Sequence, residues 1–339
     1  MHLVIKEKRM QQIKTRTHEP LPKIRDTWSY KIKEIFLRFF GDLKLFDSQP
    51  RYFVVPHLLT TLLFRGTLLY DPRSYQVKGA DMRKAMADLK PGDILVRGYD
   101  NYVDGHFIPG FFSHVGLYLG KVDEETMCTH WDTILAGSSI KSDAYAPLDE
   151  IKEKIVSGEQ MVIHSMKDGI FMEDLLNFCR CDYLAAFRFP ASVVRAADVI
   201  QPYSENPNIK EMFTGEELEI ASRLERNETV PFVDIFPVMF KLALSQLGKE
   251  YDFTLDFSNF QKMSCTEFVY YCTKSLEWAS NVHPTVESVM GIKAPGISPD
   301  SFAGSAHLNE EFVSDSVRDK NIIKAIKDRY PGPYGNFSR

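Results

Sequence analysis

Cysteine is scarce in this chain and odd in number: five residues, at 128, 179, 181, 265 and 272. Without an even count or regular spacing they do not form a disulfide framework, and they fit a reducing compartment. Long apolar runs are missing. The best, Tyr52 to Phe64, is interrupted by Pro56 and His57 and falls short of the roughly 20 residues a spanning helix needs. Met1-His2-Leu3-Val4-Ile5 runs straight into Lys6-Glu7-Lys8-Arg9, so no export signal is expected. A surplus of positive charge is absent too. The net charge is -5, which excludes a strongly basic overall footprint for nucleic acid. No P-loop, G-x-G-x-x-G, H-E-x-x-H or G-x-S-x-G occurs, and neither does an internal repeat.

What the chain does have is material for a core. Its 339 residues are 44% hydrophobic and 26% charged, with 24 Phe and 15 Tyr, enough for one large domain or two ordinary ones. Charge is uneven. Residues 1–50 carry eleven Lys and Arg against six Asp and Glu. Within them Trp28 to Phe46 places apolar side chains at helical spacing opposite a charged face. That segment reads either as a helix docked on the body or as a basic helix lying on a membrane surface. His57 to Tyr70 reads as a further, buried helix.

From Pro91 the pattern turns to strands. Pro91-Gly92-Asp93 predicts a turn before Ile94-Leu95-Val96, and residues 107–120 end in alternation and Gly120. Residues 126–135, 161–166 and 183–189 read as strands. Residues 138–158 read as an excursion with a helix at 148–156, and 172–179 as a short helix. Thr214 and Glu217 form a capping box opening a helix to about Arg226. Asp234 to Leu247 reads as a helix stopped by Gly248, and Ser264 to Leu276 as another.

The chemistry concentrates at Ser264-Cys265-Thr266-Glu267. Ser264 and Glu267 have capping-box spacing, which makes Cys265 the first residue of a helix. Phe268, Val269, Cys272 and Leu276 form the stripe that buries it. A helix N-terminus favours thiolate over thiol, and its free N–H groups suit a developing oxyanion. The plain alternative is an inert core cysteine. A nucleophilic cysteine needs a base, usually His. His106, His114, His130 and His164 fall in the strand-rich half. Cys128, His130 and Asp132 alternate along one strand, and Cys179 and Cys181 add two thiols. Neither group has the spacing of a standard zinc motif, so no metal and no cofactor is expected.

Three segments together resemble the papain-like NlpC-type hydrolases, in the circularly permuted YiiX/YaeF-like group. They are Leu89–Val96 with Ser113–Gly120; Val162–Ile170; and Leu247–Phe253 followed by Ser264–Val269. The histidines precede the cysteine, as in the permuted group. The resemblance covers roughly residues 89–190 and 235–278. It implies an α+β, permuted papain-like fold: an antiparallel sheet or partial barrel packed on the helix that carries the cysteine, with added N-terminal helices. It implies Cys265 as nucleophile, His114 as base, His164 as the residue orienting the base, and Tyr251 as a donor near the substrate carbonyl. His130 rivals His164, because about fifty residues separate His114 from His164.

The corresponding layout is a basic helical extension over 1–88 and a catalytic domain over 89–280. Insertions fall near 136–160 and 191–232, and a tail over 281–339 packs on the domain. The expected activity is that of a cysteine hydrolase or acyltransferase. It would act on an amide or ester carbonyl, in a peptide-like or lipid acyl substrate, through a thioester. The alternative is an inactive papain-like module that binds lipid or protein. A cytoplasmic location is expected, with peripheral membrane contact through 28–46 and no nucleic-acid partner.

Overall fold

The computed structural model describes residues 75–100, 110–122, 160–166, 169–199, 202–252, 260–289 and 292–329, with single residues at 125, 153, 158 and 257. The helices expected before residue 75, the strand at 126–135 and most of the excursion at 138–158 lie outside the described residues. So do His106, Cys128, His130 and Asp132.

The architecture is α+β. Among the described residues an antiparallel six-stranded sheet forms the centre. Helix α1 (Gly79–Asp88) leads into β1 (Ile94–Gly98). Strands β2 (His114–Gly120), β3 (Met161–Met166) and β4 (Gly169–Asp174) follow, then a single turn α2 (Leu175–Phe178) and β5 (Tyr183–Arg188). Helices α3 (Gly215–Glu225), α4 (Phe232–Ser245), α5 (Cys265–Thr273) and α6 (Pro299–Gly304) come next. The chain then returns as β6 (Asn309–Val313) and closes with α7 (Ile322–Arg329). The strand order is β6-β5-β1-β2-β3-β4. The tail expected to pack on the domain thus contributes an edge strand of the central sheet.

Both faces of the sheet are covered, which is why its strands read as apolar runs rather than strict alternation. One face carries Ile94, Val96, Val115, Leu117 and Ile163 into a large core with α4 and α5. The other carries Leu95, Tyr118, Val162 and Leu184 into a smaller core under α1 and α2.

The Pro-Gly-Asp turn behaves as its residues require. Asp93 Oδ2 accepts from Lys90 N–H at 2.8 Å, and the same buried carboxylate takes two bonds from Arg188, at 2.6 and 2.8 Å. Gly92 has φ +95°, and a Cβ there would stand 2.6 Å from the Phe232 ring. Only glycine meets both the left-handed backbone and the close approach of α4.

Both capping boxes form as the sequence predicts, at Thr214/Glu217 and Ser264/Glu267. The helix expected over 172–179 does not form as such. Residues 169–174 are strand β4, paired with β3 from Met161↔Asp174 to Met166↔Gly169, and only 175–178 is helical. Gly169, at φ +103°, turns the chain back, and Ile170 and Met172 enter the core. Long-range pairing outweighs the local helical look of Met172-Glu-Asp-Leu-Leu, with Asp174 serving as the N-cap instead.

Candidate active site

The site grows from the start of α5. Ser264 is its N-cap, and its Oγ accepts from Glu267 N–H. Glu267 reaches back to accept from Ser264 N–H at 2.7 Å and from Phe257 N–H at 3.0 Å. Ser165 Oγ, on β3, donates to Met263 O at 2.6 Å. These bonds hold Cys265 as the first helical residue, on the face of the sheet that Val115 and Leu117 share.

Backbone N–H groups of Val115 and Thr266 face the Cys265 sulfur and favour its charged form. Burial opposes them more strongly, and the thiol is pushed up to about 11. The expectation that the helix end alone would yield a thiolate is therefore not met in the resting protein. Cys265 is 4% exposed, and its thiol has lost the water that a thiolate needs.

His114 begins β2, one residue before Val115. Its Nε2 lies 2.8 Å from His164 Nδ1. His164 Nε2 lies in turn 2.9 Å from Glu173 Oε1 on β4. The same carboxylate oxygen stands 3.4 Å from Arg97 Nη1, on β1. Arg97 also donates to Phe178 O at 3.1 Å and packs on the Phe178 ring at 4.3 Å.

The sheet register explains the cluster. Arg97 is opposite His114, and His164 is opposite Phe171, so all these side chains share one face. Gly116 leaves room on this face for Phe178 and His164. A Cβ there would stand 3.0 Å from Phe178 and Val162 and 3.2 Å from His164 Cβ.

Electrostatics keeps both rings neutral. Burial, then the nearby Arg97 charge, then His164 hold His114 well below the ordinary histidine range. Burial likewise lowers His164, against the pull of Glu173. Burial would raise Glu173, but the His164 bond and the Arg97 charge bring it below its usual range, so it is a carboxylate.

The structure brings His114 and His164 together, but it places Cys265 on the opposite face of the sheet, with only its sulfur reaching the Val115 peptide. The thiol and the His114 ring are not in contact. Tyr251 is partly exposed in the segment after α4. That segment is tied to the cysteine loop by Met263 N–H donating to Glu250 O at 3.0 Å.

Sequence reading missed Glu173 and Arg97. The first was hidden by the helix expected over 172–179. The second had a signal: a lone arginine inside Ile94-Leu-Val-Arg-Gly98, where a fully buried guanidinium must find partners.

Among the described residues no group of three His, Cys, Asp or Glu is placed to hold a metal ion. Cys179, Cys181, Cys265 and Cys272 are all buried and unpaired. No described helix is long and apolar enough to cross a membrane. No family model, curated protein or solved structure matches the chain.

Proposed function

We propose that this chain is a cysteine hydrolase or acyltransferase of the permuted papain-like type, acting on an amide or ester carbonyl. One observation carries the reading: a cysteine at a capped, buried helix N-terminus has its sulfur at the peptide N–H that follows a histidine, and that histidine is backed by a second histidine and a carboxylate.

In this reading the Cys265 sulfur attacks the carbonyl carbon while His114 Nδ1 takes the thiol proton. Nδ1 is the nitrogen left open by the bond to His164. To reach the thiol the ring has to turn about the first residue of β2, since His114 and Cys265 lie on opposite faces of the sheet. The carbonyl π pair moves to oxygen, which faces the N–H of Cys265 at the helix end. Collapse breaks the C–N or C–O bond, and the leaving group receives the proton from His114. Water or another acceptor then attacks the thioester, giving its proton to His114. The C–S bond breaks and the thiolate regains that proton. Because the resting thiol is neutral, proton transfer accompanies attack instead of preceding it. The aromatic content and the basic sequence with periodic apolar residues at 28–46 support a lipid acyl or acyl-peptide substrate met at a membrane surface.

The test is acylation by p-nitrophenyl esters of increasing chain length, with the modified residue located by mass spectrometry. The expected result is a burst with the acyl group on Cys265, slowed about 10²-fold or more by His114→Ala. Equal modification of all five cysteines would remove the proposal. A second reading, a papain-like module that binds without catalysis, is favoured by the nearly buried, neutral thiol. It predicts no burst with any ester.

A further inference from the structure

Two neutral imidazoles in series can carry their protons in more than one arrangement, and only one leaves His114 Nδ1 without a hydrogen, the state a base needs. We propose that Glu173 is the positioning residue that selects this arrangement, fixing the tautomer of His164 and, through it, that of His114. The inference deepens the proposed function and rests on Cys265 and His114 being nucleophile and base.

The assignment follows from donor and acceptor bookkeeping along the chain of contacts. A carboxylate only accepts. In this assignment His164 Nε2 carries the hydrogen, with Glu173 Oε1 the adjacent carboxylate oxygen at 2.9 Å. A neutral ring has one N–H, so His164 Nδ1 is the acceptor. His114 Nε2, 2.8 Å away, must then be the donor. His114 Nδ1 is left with its lone pair and no hydrogen. A histidine pair without the carboxylate has no such preference and populates the reverse order as well, in which His114 Nδ1 carries the hydrogen.

Arg97 completes the arrangement. It faces the same Oε1 and holds the Glu173 carboxylate in its ionised, acceptor-only state. Placed across from His114, it also disfavours a second proton on that ring. Burial of both rings excludes water that could serve as a substitute partner.

A purely structural role for Glu173, as the counter-ion of buried Arg97, makes a different forecast. Removing it would lower stability and leave the tautomers as they were. The experiment is nitrogen NMR of the histidine rings in the full chain, together with p-nitrophenyl acetate acylation. It compares wild type, Glu173→Gln and Glu173→Leu.

The expected wild-type spectrum has both His114 and His164 protonated at Nε2, with His114 Nδ1 bare. Glu173→Gln keeps an acceptor oxygen and most of this order. Glu173→Leu mixes the tautomers of both rings and slows Cys265 acylation by about 10-fold or more. A wild-type His114 protonated at Nδ1 overturns the proposal, and that spectrum decides even where the Leu variant fails to fold. Unchanged tautomers in a folded Glu173→Leu variant overturn it equally. If the tautomers move as expected while wild-type Cys265 accepts no acyl group, the relay stands and the hydrolase reading fails.

Discussion

The Cys265 sulfur faces the backbone N–H of Val115, so one peptide unit separates the thiol's contact point from His114. Val115 points into the large core and His114 into the smaller one. Thiol and imidazole therefore lie on opposite faces of the sheet, on either side of the first peptide of β2.

This placement gives Cys265 an unusual pH profile. Its thiol is pushed up to about 11, chiefly by burial, from the ordinary value of 9.0. The iodoacetamide rate at Cys265 is expected to climb with pH without levelling off below pH 9. A plateau at neutral pH would show a ready-made thiolate instead. Linkage gives the accompanying stability effect. Between about 9 and 11 the folded state binds more protons than the unfolded one, so stability falls as pH rises through that window.

The histidine pair acts at the other end of the scale. Both rings are held below the ordinary value of 6.5, His114 well below it, with burial the main cause. Below 6.5 the unfolded chain takes up protons that the folded one refuses. Stability is therefore complete above that value and is lost as pH falls. Denaturant titrations from pH 7.5 to 4.5 are expected to show this loss, and His114→Ala is expected to flatten it. An unaltered acid limb in the variant would count against a buried neutral pair.

Gly116→Ala tests the packing around His164 and Phe178. The new methyl would meet Phe178 and Val162 at 3.0 Å and His164 Cβ at 3.2 Å. Overpacking of this kind costs about 1–3 kcal/mol. The melting temperature should fall and the His114–His164 contact should lengthen. A variant with wild-type stability and wild-type ring shifts would mean the gap is not needed.

Asp300 tests how far the tail prepares the site. Its buried carboxylate accepts from Phe111 N–H at 2.9 Å and from Phe112 N–H at 2.9 Å, just before His114. Gly110 admits it, since a Cβ there would lie 2.6 Å from Oδ2. Asp300→Ala leaves two donors unpaired, a loss of about 1–3 kcal/mol each by the usual cost of a buried unsatisfied group. Calorimetry should show a lowered melting point, and acylation of Cys265 should slow with it. Unchanged stability would show that the loop has other anchors.

The contrast between Ser264 and Glu173 shows what was legible beforehand. The cap of α5 depends on residues three apart, so spacing alone announced it, and with it the place of Cys265. His114 followed from a turn-then-strand pattern of similar range. Glu173 depends on β4 pairing with β3, and Met172-Glu-Asp-Leu-Leu is locally ambiguous. A closer reading of Gly169 followed by apolar Ile170 and Met172 would have favoured a strand. Asn309-Glu-Glu-Phe-Val313 has no local strand signature. It becomes an edge strand because Arg188 and Ala185 on β5 offer it a register.

By itself the sequence determined the short-range features: the capping boxes, the Pro-Gly-Asp turn, the helix that begins at Cys265 and the strand that ends at Gly120. The tertiary structure alone decided which groups meet at the site. Sheet register sets Arg97, His114, His164 and Glu173 on one face, and burial leaves the thiol neutral. Both effects depend on partners many residues away, and no local pattern of spacing encodes which strand will lie beside which.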